Sequence, residues 1–401
     1  MAAEGEAVIV LTSYQEAREA LRCRDLRQTL YDEGHRLMDG VIVNLDGEEH
    51  LARRRLEDRL FRRDTFAWYE HERIPTIIDD VLREPVEQRR GELISLARRT
   101  MLSLSLEVAG IDRPSDDVAA LDDLYALMDR LARASTVARA TGDKTVLIAD
   151  GDDALAHFSE AYFRPSRDRR QRLIEEFERG DIDESDVPRD VLATLLRNQD
   201  RLDLPPTTFL REIAYFPWVG SHSTSNQLVH AMHHLFEWFE THPSSRASML
   251  QDHDGLQRFV HESIRLHPMS PVALRRATTD VEICGQLVPA DSEVSIDVEQ
   301  ANRDPLVFGS DADTFNPDRD LGSDATPWGL SFGHGIHACL GQELAGGLQP
   351  EPDASPRLLG SVSIMATRML EHGAQPDRAE PPTNDETTTR SVWSRYPVVF
   401  R

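Results

Sequence analysis

Residues 331–341 constrain this chain more than any other stretch. They read Ser331-Phe332-Gly333-His334-Gly335-Ile336-His337-Ala338-Cys339-Leu340-Gly341, a single cysteine set among three glycines and followed by a helical pattern. Without a Cβ, glycine lets a backbone wrap closely around a neighbouring atom. The start of a helix carries partial positive charge, which favours a cysteine as thiolate. Such a cysteine is either a plain buried thiol in a glycine-rich turn or a thiolate held by surrounding N–H groups.

The rest of the chain bounds the setting. With 45 Lys and Arg against 70 Asp and Glu the formal charge is −25, which repels nucleic acid and anionic lipid. Cys23, Cys284 and Cys339 lie far apart with no C-x-x-C pair, so no disulfide framework is expected and a reducing cytoplasm fits. The apolar run Ala7–Leu11 is too short for a span or a signal peptide. Periodicity predicts a short strand over 8–12 and a helix over 14–22 capped by Ser13. Further helices are predicted over 50–63, 92–110, 118–136, 207–240, 255–267 and 357–372, with short strands over 281–298. Pro217 and Gly220 predict a kink or local widening in the longest helix. The fold expected is mainly α with a minor β-sheet region, as a single domain over 1–401. Residues 346–356 read as a loop insertion and 374–391 as a polar C-terminal segment.

The cysteine loop matches F-G-x-G-x-H/R-x-C-x-G at every position, and here the chain resembles the cytochrome P450 family. The resemblance implies a haem-thiolate fold with heme b as cofactor and Cys339 as the iron ligand. It also implies Phe332 packed on the macrocycle, His337 at a propionate, and Gly341 completing the turn. Four other regions agree in chain order. Glu262 and Arg265 fit E-x-x-R, one face of a helix at i,i+3 spacing. With Arg319 they would fix the loop that presents the cysteine. Arg275, rather than its neighbour Arg276, aligns with a propionate-binding arginine. Ala301-Asn302-Arg303-Asp304-Pro305 recurs in bacterial members. His50 and Arg54 match H-x-x-x-R, placed at i,i+4 to share a propionate. The other arginines of that helix, Arg53, Arg55, Arg59, Arg62 and Arg63, would face outward as a docking patch for an acidic ferredoxin.

The match weakens on the long helix. Gly220 fits the point where the family's helix opens to dioxygen. His222 stands where an acid is usual, Ser223 where the first threonine is usual, and Thr224 matches the second. Ser223 keeps a hydroxyl and His222 titrates near neutrality, so both retain proton-relay chemistry. The chain also begins close to the family's second short strand, so the fold is expected to be truncated at the N-terminus.

The resemblance implies a monooxygenase of secondary metabolism that inserts one oxygen atom into a small organic substrate. Electrons would come from NAD(P)H through a ferredoxin and its reductase, in a cytoplasmic monomer. Phe216, Val219, Val272, Ala273 and Leu274 are the expected substrate pocket, with Val41 and Ile42 as further candidates that plain core packing explains equally well. The departures at His222 and Ser223 leave open coupling, desaturation, nitration or peroxide-driven oxidation. The short start and the insertion leave open a non-catalytic haem-binding protein.

Overall fold

A computed structural model describes residues 8–58, 60–113, 117–140, 143–322, 325–349, 357–386 and 390–401. The fold is mostly helical, 59% helix against 10% strand. The chain runs through strand β1 (Ile9–Leu11), helix α1 (Tyr14–Arg22) and strand β2 (Leu26–Gln28), then helices α2 (Gly47–Glu57), α3 (Leu93–Ala109) and α4 (Val118–Ser135). Helices α5 (Pro206–Thr241) and α6 (His253–Leu266), strands β3 (Val272–Ala277) and β4 (Glu293–Asp297), and helices α7 (Gln342–Gly346) and α8 (Ser361–Glu371) follow, with shorter elements between. The residues divide into two compact units, one of Met1–Thr29, Phe66–Ala97 and Thr224–Arg401, the other of Leu30–Thr65 and Arg98–Ser223.

The first unit holds a four-stranded sheet in the order β1-β4-β3-β2, with β1 parallel to β4 and the other pairings antiparallel. Leu11, Leu26, Ala277, Val294 and Ile296 are buried with Ala17, Ala20 and Leu21 of α1 in one apolar cluster. Helix α1 begins where the sequence places it, because Ser13 and Glu16 form a reciprocal capping box that satisfies two N–H groups of the first turn. The same unit buries a group of imidazoles. His230 stacks on His267 with centroids 4.0 Å apart, His234 and His267 share an Nε2···Nε2 hydrogen bond of 2.9 Å, and His233 Nδ1 meets the Tyr396 hydroxyl at 3.0 Å.

The second unit corrects the expected outward row of arginines. The helix predicted over 50–63 ends at Glu57, and its Arg53 is buried, donating to Glu212 of α5 at 2.7 Å. Arg55, Arg62 and Arg63 are exposed, and Arg59 lies outside the described residues. Glu57 is buried beside the pair. Its two oxygens receive no donor among the described residues, whereas Glu212 accepts from Arg53 and from the Ile42 N–H at 3.0 Å. Burial and the nearby Glu212 charge raise the Glu57 carboxyl well above its usual range, so Glu57 is the member of the pair that keeps a proton. One cation and one anion remain, which lowers the cost of burying three charges. Val41 and Ile42 are buried core residues, not an open lining.

Helix α5 runs unbroken through Pro217 and Gly220, so neither the kink nor the widening is formed as an interruption. The last helix begins at Ser361, four residues later than predicted, and 350–356 of the expected insertion lie outside the described residues. The segment 374–391 carries short strands at Gln375–Pro376 and Thr383–Asn384.

The buried groups set opposite flanks of a pH–stability curve. Burial, with help from neighbouring imidazoles, lowers His230 to about 3, His234 to about 4 and His267 to about 2. Below about pH 6.5 the unfolded chain binds protons that the native cluster refuses, so stability falls as pH drops through that range. Burial first, and then the Glu212 charge, raise Glu57 well above its usual range. Above about pH 4.5 the unfolded chain has lost a proton that native Glu57 keeps, so this group costs stability as pH rises. Glu57→Gln, neutral at every pH, should gain stability relative to wild type as pH rises from 5 to 9. Urea unfolding midpoints across that range test it, and curves of identical pH slope would show that Glu57 is not the buried acid.

Candidate active site

The cysteine loop is a turn whose shape is set from outside it. The Cys339 N–H donates to the Phe332 carbonyl at 2.8 Å, closing the loop on itself, and the Gly333 N–H donates to Leu330 at 2.8 Å. Gly333 and Gly335 have φ of +69° and +75°, and a Cβ on Gly335 would stand 3.0 Å from Arg22 Cα and Leu21 O. Only glycine meets both demands there. Cys339 itself is exposed, and a Cβ on Gly341 would lie 4.0 Å from its sulfur.

What holds this turn is a buried polar network grown from α6. Arg265, with no solvent exposure, donates twice to Glu262 at 2.7 Å and to the carbonyls of Asn302 and Ala312 at 2.6 and 2.8 Å. Glu262 also accepts from Arg319 at 3.1 Å and from the Asn316 N–H at 3.0 Å. Arg319 donates further to Asp311 at 2.7 Å and to the Thr314 carbonyl at 2.8 Å. A guanidinium has five N–H donors in a fixed fork, which suits a node joining several carbonyls to one carboxylate. Asn302 completes the link. Its amide donates to the Arg265 carbonyl and to Ser331 Oγ, both at 2.9 Å, and its oxygen accepts the Leu330 N–H at 2.7 Å. Ser331 Oγ in turn donates to the Ile264 carbonyl at 2.7 Å. The E-x-x-R spacing pointed to Glu262 and Arg265. Asn302 and Ser331 stood in the quoted segments with no role assigned, although an asparagine and a serine beside glycines are the side chains that satisfy a turn's backbone.

Arg275 of β3 is buried and donates to Gln28 Oε1 and to the Leu274 carbonyl, whereas Arg276 is exposed and paired with Glu293 at 2.8 Å. Strand alternation decides which of the two arginines turns inward. Val272, Ala273 and Leu274 are half-buried on the same strand, and His337 is half-buried in the turn Gly335–His337. Cys284, by contrast, donates to Glu19 at 3.2 Å, and burial followed by that carboxylate pushes its thiol up to about 11. It is a poor nucleophile.

In the other unit, His50 is buried on α2 and Arg54, one turn on, donates to Asp58 at 3.0 Å. Phe216 stacks on Phe61 with centroids 6.1 Å apart, and Val219 is half-buried. Gly220 has a packing reason of its own: a Cβ there would stand 2.6 Å from Ser105 Oγ of α3. Ser221 and Ser223 donate to the carbonyls of Pro217 and Val219 at 2.6 and 2.7 Å, one turn back along α5. His222 Nδ1 donates to the Trp218 carbonyl at 2.9 Å, leaving Nε2 as the basic nitrogen, 3.5 Å from Asp129 of α4. Its ring stacks on Tyr125 at 4.6 Å. Burial works to raise the Asp129 carboxyl, but His222 and Arg133 beside it outweigh that and hold it below the usual range. Thr224 is half-buried. The expected haem contacts thus divide between the units: Cys339, Phe332, His337, Gly341 and Arg275 in the first, His50 and Arg54 in the second.

A family model described as Cytochrome P450 matches residues 168–346. Erythromycin C-12 hydroxylase of Saccharopolyspora erythraea is 38% identical over 106 residues, covering 26% of each chain. Cytochrome P450 105A3 of Streptomyces carbophilus is 33% identical over 169 residues, covering 40% of this chain and 38% of that one. The chain thus spans about a quarter to two fifths of the length of these curated relatives. The fold matches myxobacterial CYP267B1 in complex with myristic acid, with TM-score 0.74 and 21% identity over 98% of this chain and 90% of that one. Bacillus megaterium CYP109E1 in complex with testosterone gives TM-score 0.72 and 17% identity over 98% and 93%. The family model, the curated relatives and the structural neighbours all support a cytochrome P450 family member. That family implies a haem, and the residues present fit one: Cys339, an exposed cysteine on a glycine turn, would supply the soft thiolate donor such a group needs.

Gly220 gives a direct test of packing at this site. Glycine to alanine in an unhindered helix gains about 1 kcal/mol. Gly220→Ala should instead lose about 1–2 kcal/mol through overpacking against Ser105. In a Ser105→Gly background the same change should recover the helix gain. A double-mutant cycle by urea unfolding reads the coupling, and additive effects would remove Ser105 as the reason for this glycine.

Proposed function

We propose that this protein is a haem-thiolate monooxygenase that inserts one oxygen atom into a small organic substrate. The observation that carries this is the exposed Cys339 sulfur on a glycine turn anchored by the buried Glu262–Arg265–Arg319 network. In this proposal heme b is held by Cys339 at the iron, by Phe332 against the macrocycle, and by Arg275, His337, His50 and Arg54 at the propionates. When bound it supplies the centre for dioxygen activation, the thiolate donating electron density that favours O–O cleavage.

The chain's own groups supply protons and orientation. His222 holds its Nε2 toward the Asp129 carboxylate, which stays ionised and would stabilise a proton carried at that nitrogen. Ser223 spends its single hydroxyl hydrogen on the Val219 carbonyl and keeps its lone pairs, so it accepts a hydrogen bond until the hydroxyl rotates. Thr224 follows on the next position of the helix. Phe216, Val219, Val272, Ala273 and Leu274 favour a substrate with an apolar portion. Arg55, Arg62 and Arg63 are exposed cations on a chain of charge −25, suited to steer an acidic ferredoxin that relays electrons from NAD(P)H through its reductase. The protein is proposed to work as a cytoplasmic monomer.

The reduced, carbon-monoxide-bound spectrum should show a strongly red-shifted Soret band that Cys339→Ala abolishes. Product formation with ferredoxin, reductase and NAD(P)H should then exceed that with peroxide alone. A band at the position of histidine-ligated haem would overturn the thiolate assignment. Turnover with peroxide only would replace the monooxygenase reading by a peroxide-driven one.

A further inference from the structure

The helix that follows the cysteine is in two pieces. α7 has five residues, too few to hold helical structure by their own hydrogen bonds. The chain leaves at Gly347 and returns at Gly360, with φ of +73° and +83°. Leu348 N–H donates to the Leu358 carbonyl at 2.9 Å and closes the stem, after which α8 begins at Ser361. Such a break orphans carbonyls at the end of one piece and N–H groups at the start of the next. Gly360 has no side chain with which to cap α8.

Three buried side chains from elsewhere in the same unit repair the break. His261 Nε2 donates to the Gly346 carbonyl at 2.7 Å. The Gln257 amide, one turn earlier on α6, reaches the carbonyls of Gly346, Leu358 and Leu359 at 3.2, 2.9 and 3.2 Å and shares its two hydrogens among them. The Glu70 carboxylate accepts the N–H groups of Leu359 and Gly360 at 3.0 and 2.8 Å, in the place of a helix cap. The fit leaves no slack: a Cβ on Gly347 would stand 2.3 Å from Gln257 Nε2, and one on Gly360 2.4 Å from the Gly347 nitrogen.

This clasp leads to the cysteine by two routes. Gly346, whose carbonyl both donors grip, packs on the Phe332 ring, a Cβ there lying 3.4 Å from Cε2 and Cζ. Phe332 in turn accepts the Cys339 N–H at 2.8 Å. The His261 ring also meets Trp328 edge-on at 4.9 Å, and Trp328 meets Phe332 edge-on at 5.9 Å. Because Gly346 O is an acceptor, Nε2 of His261 carries the hydrogen and Nδ1 is a buried bare acceptor with no partner among the described residues. An orphaned nitrogen costs stability, so an imidazole is a poor choice for packing alone. What it supplies is a donor and a flat ring aimed at the same loop.

We propose that Gln257, His261 and Glu70 are positioning residues for the cysteine loop, splinting an interrupted helix so that Gly346 and Trp328 hold Phe332 and, through it, the Cys339 amide. The proposal rests on Cys339 being the haem ligand, and its test keeps the two apart. Two readouts are taken on the full chain: the lifetime of the red-shifted Soret band in the reduced carbon-monoxide complex, and hydrogen exchange of the Cys339 amide. His261→Leu and Gln257→Leu should each shorten the band's lifetime and speed the amide's exchange about tenfold, as loss of one buried hydrogen bond allows. His261→Gln, which keeps a donor, should restore both toward wild type. Should His261→Leu fail to fold, Glu70→Gln leaves α6 intact and should give the same two changes. A lower melting temperature with band lifetime and exchange unchanged would reduce the clasp to a purely structural part and overturn the proposal. Absence of the band from wild type itself would overturn the haem-thiolate reading, while the exchange data would still decide whether the clasp braces the loop.

Discussion

Arg265 has no contact with solvent, and a buried guanidinium is tolerable only when its donors are matched. The protein matches them with one carboxylate and two main-chain carbonyls, those of Asn302 and Ala312. That choice ties α6 to two loops far along the chain, because a cation that must keep its acceptors fixes the backbone bearing them. Glu262 extends the constraint to Arg319 and the Asn316 N–H, and Asn302 carries it to Leu330 and Ser331 at the mouth of the cysteine turn. Replacing such a network by apolar side chains of equal volume is often harmless to stability. Its value here is geometric: apolar contacts would pack the same volume without specifying which carbonyl stands where.

The features legible in the sequence are those whose cause is local or whose spacing is rigid. Ser13 and Glu16 announce the start of α1 because both halves of the capping box lie within four residues. The 36-residue α5 was legible from periodicity alone, and its bounds differ from the expected 207–240 by one residue at each end. The glycine positions around Cys339 were legible because few backbones need positive φ at two places two residues apart, as Gly333 and Gly335 do just before the cysteine. What stayed hidden depends on partners distant in sequence. Nothing near Gly220 mentions Ser105, so a glycine explained by the approach of α3 looked like a property of α5 alone. Nothing near Arg53 mentions Glu212, and periodicity placed a charged residue on the surface because charged residues usually lie there.

Arg53 and Glu57 lie four residues apart on α2, on the same face as buried His50. That face would ordinarily be apolar. Once Arg53 is inside, it needs an anion, and Glu212 of α5 supplies it. A second carboxylate could then be buried only as the neutral acid, since two charged carboxylates against one cation would leave an unpaired charge. The departure from the apolar pattern is therefore a coupled set rather than three separate substitutions, and none of the three is intelligible alone.

The same logic bears on α5. At position 222 the helix carries an imidazole where the family carries an acid, which looks like the loss of a carboxylate. The structure places one a single imidazole away: Asp129 of α4, held ionised by His222 and Arg133 despite its burial. The Trp218 carbonyl fixes the tautomer, so the basic nitrogen is the one turned to Asp129. The charge has moved from the helix to its neighbour, with His222 as the link. In the proposed relay an acid on the helix would give up its proton directly, whereas here the proton would be carried on a ring that stacks on Tyr125. Proton supply through His222 should then depend on the mobility of that ring as much as on its charge, a constraint that an acid at position 222 would not impose.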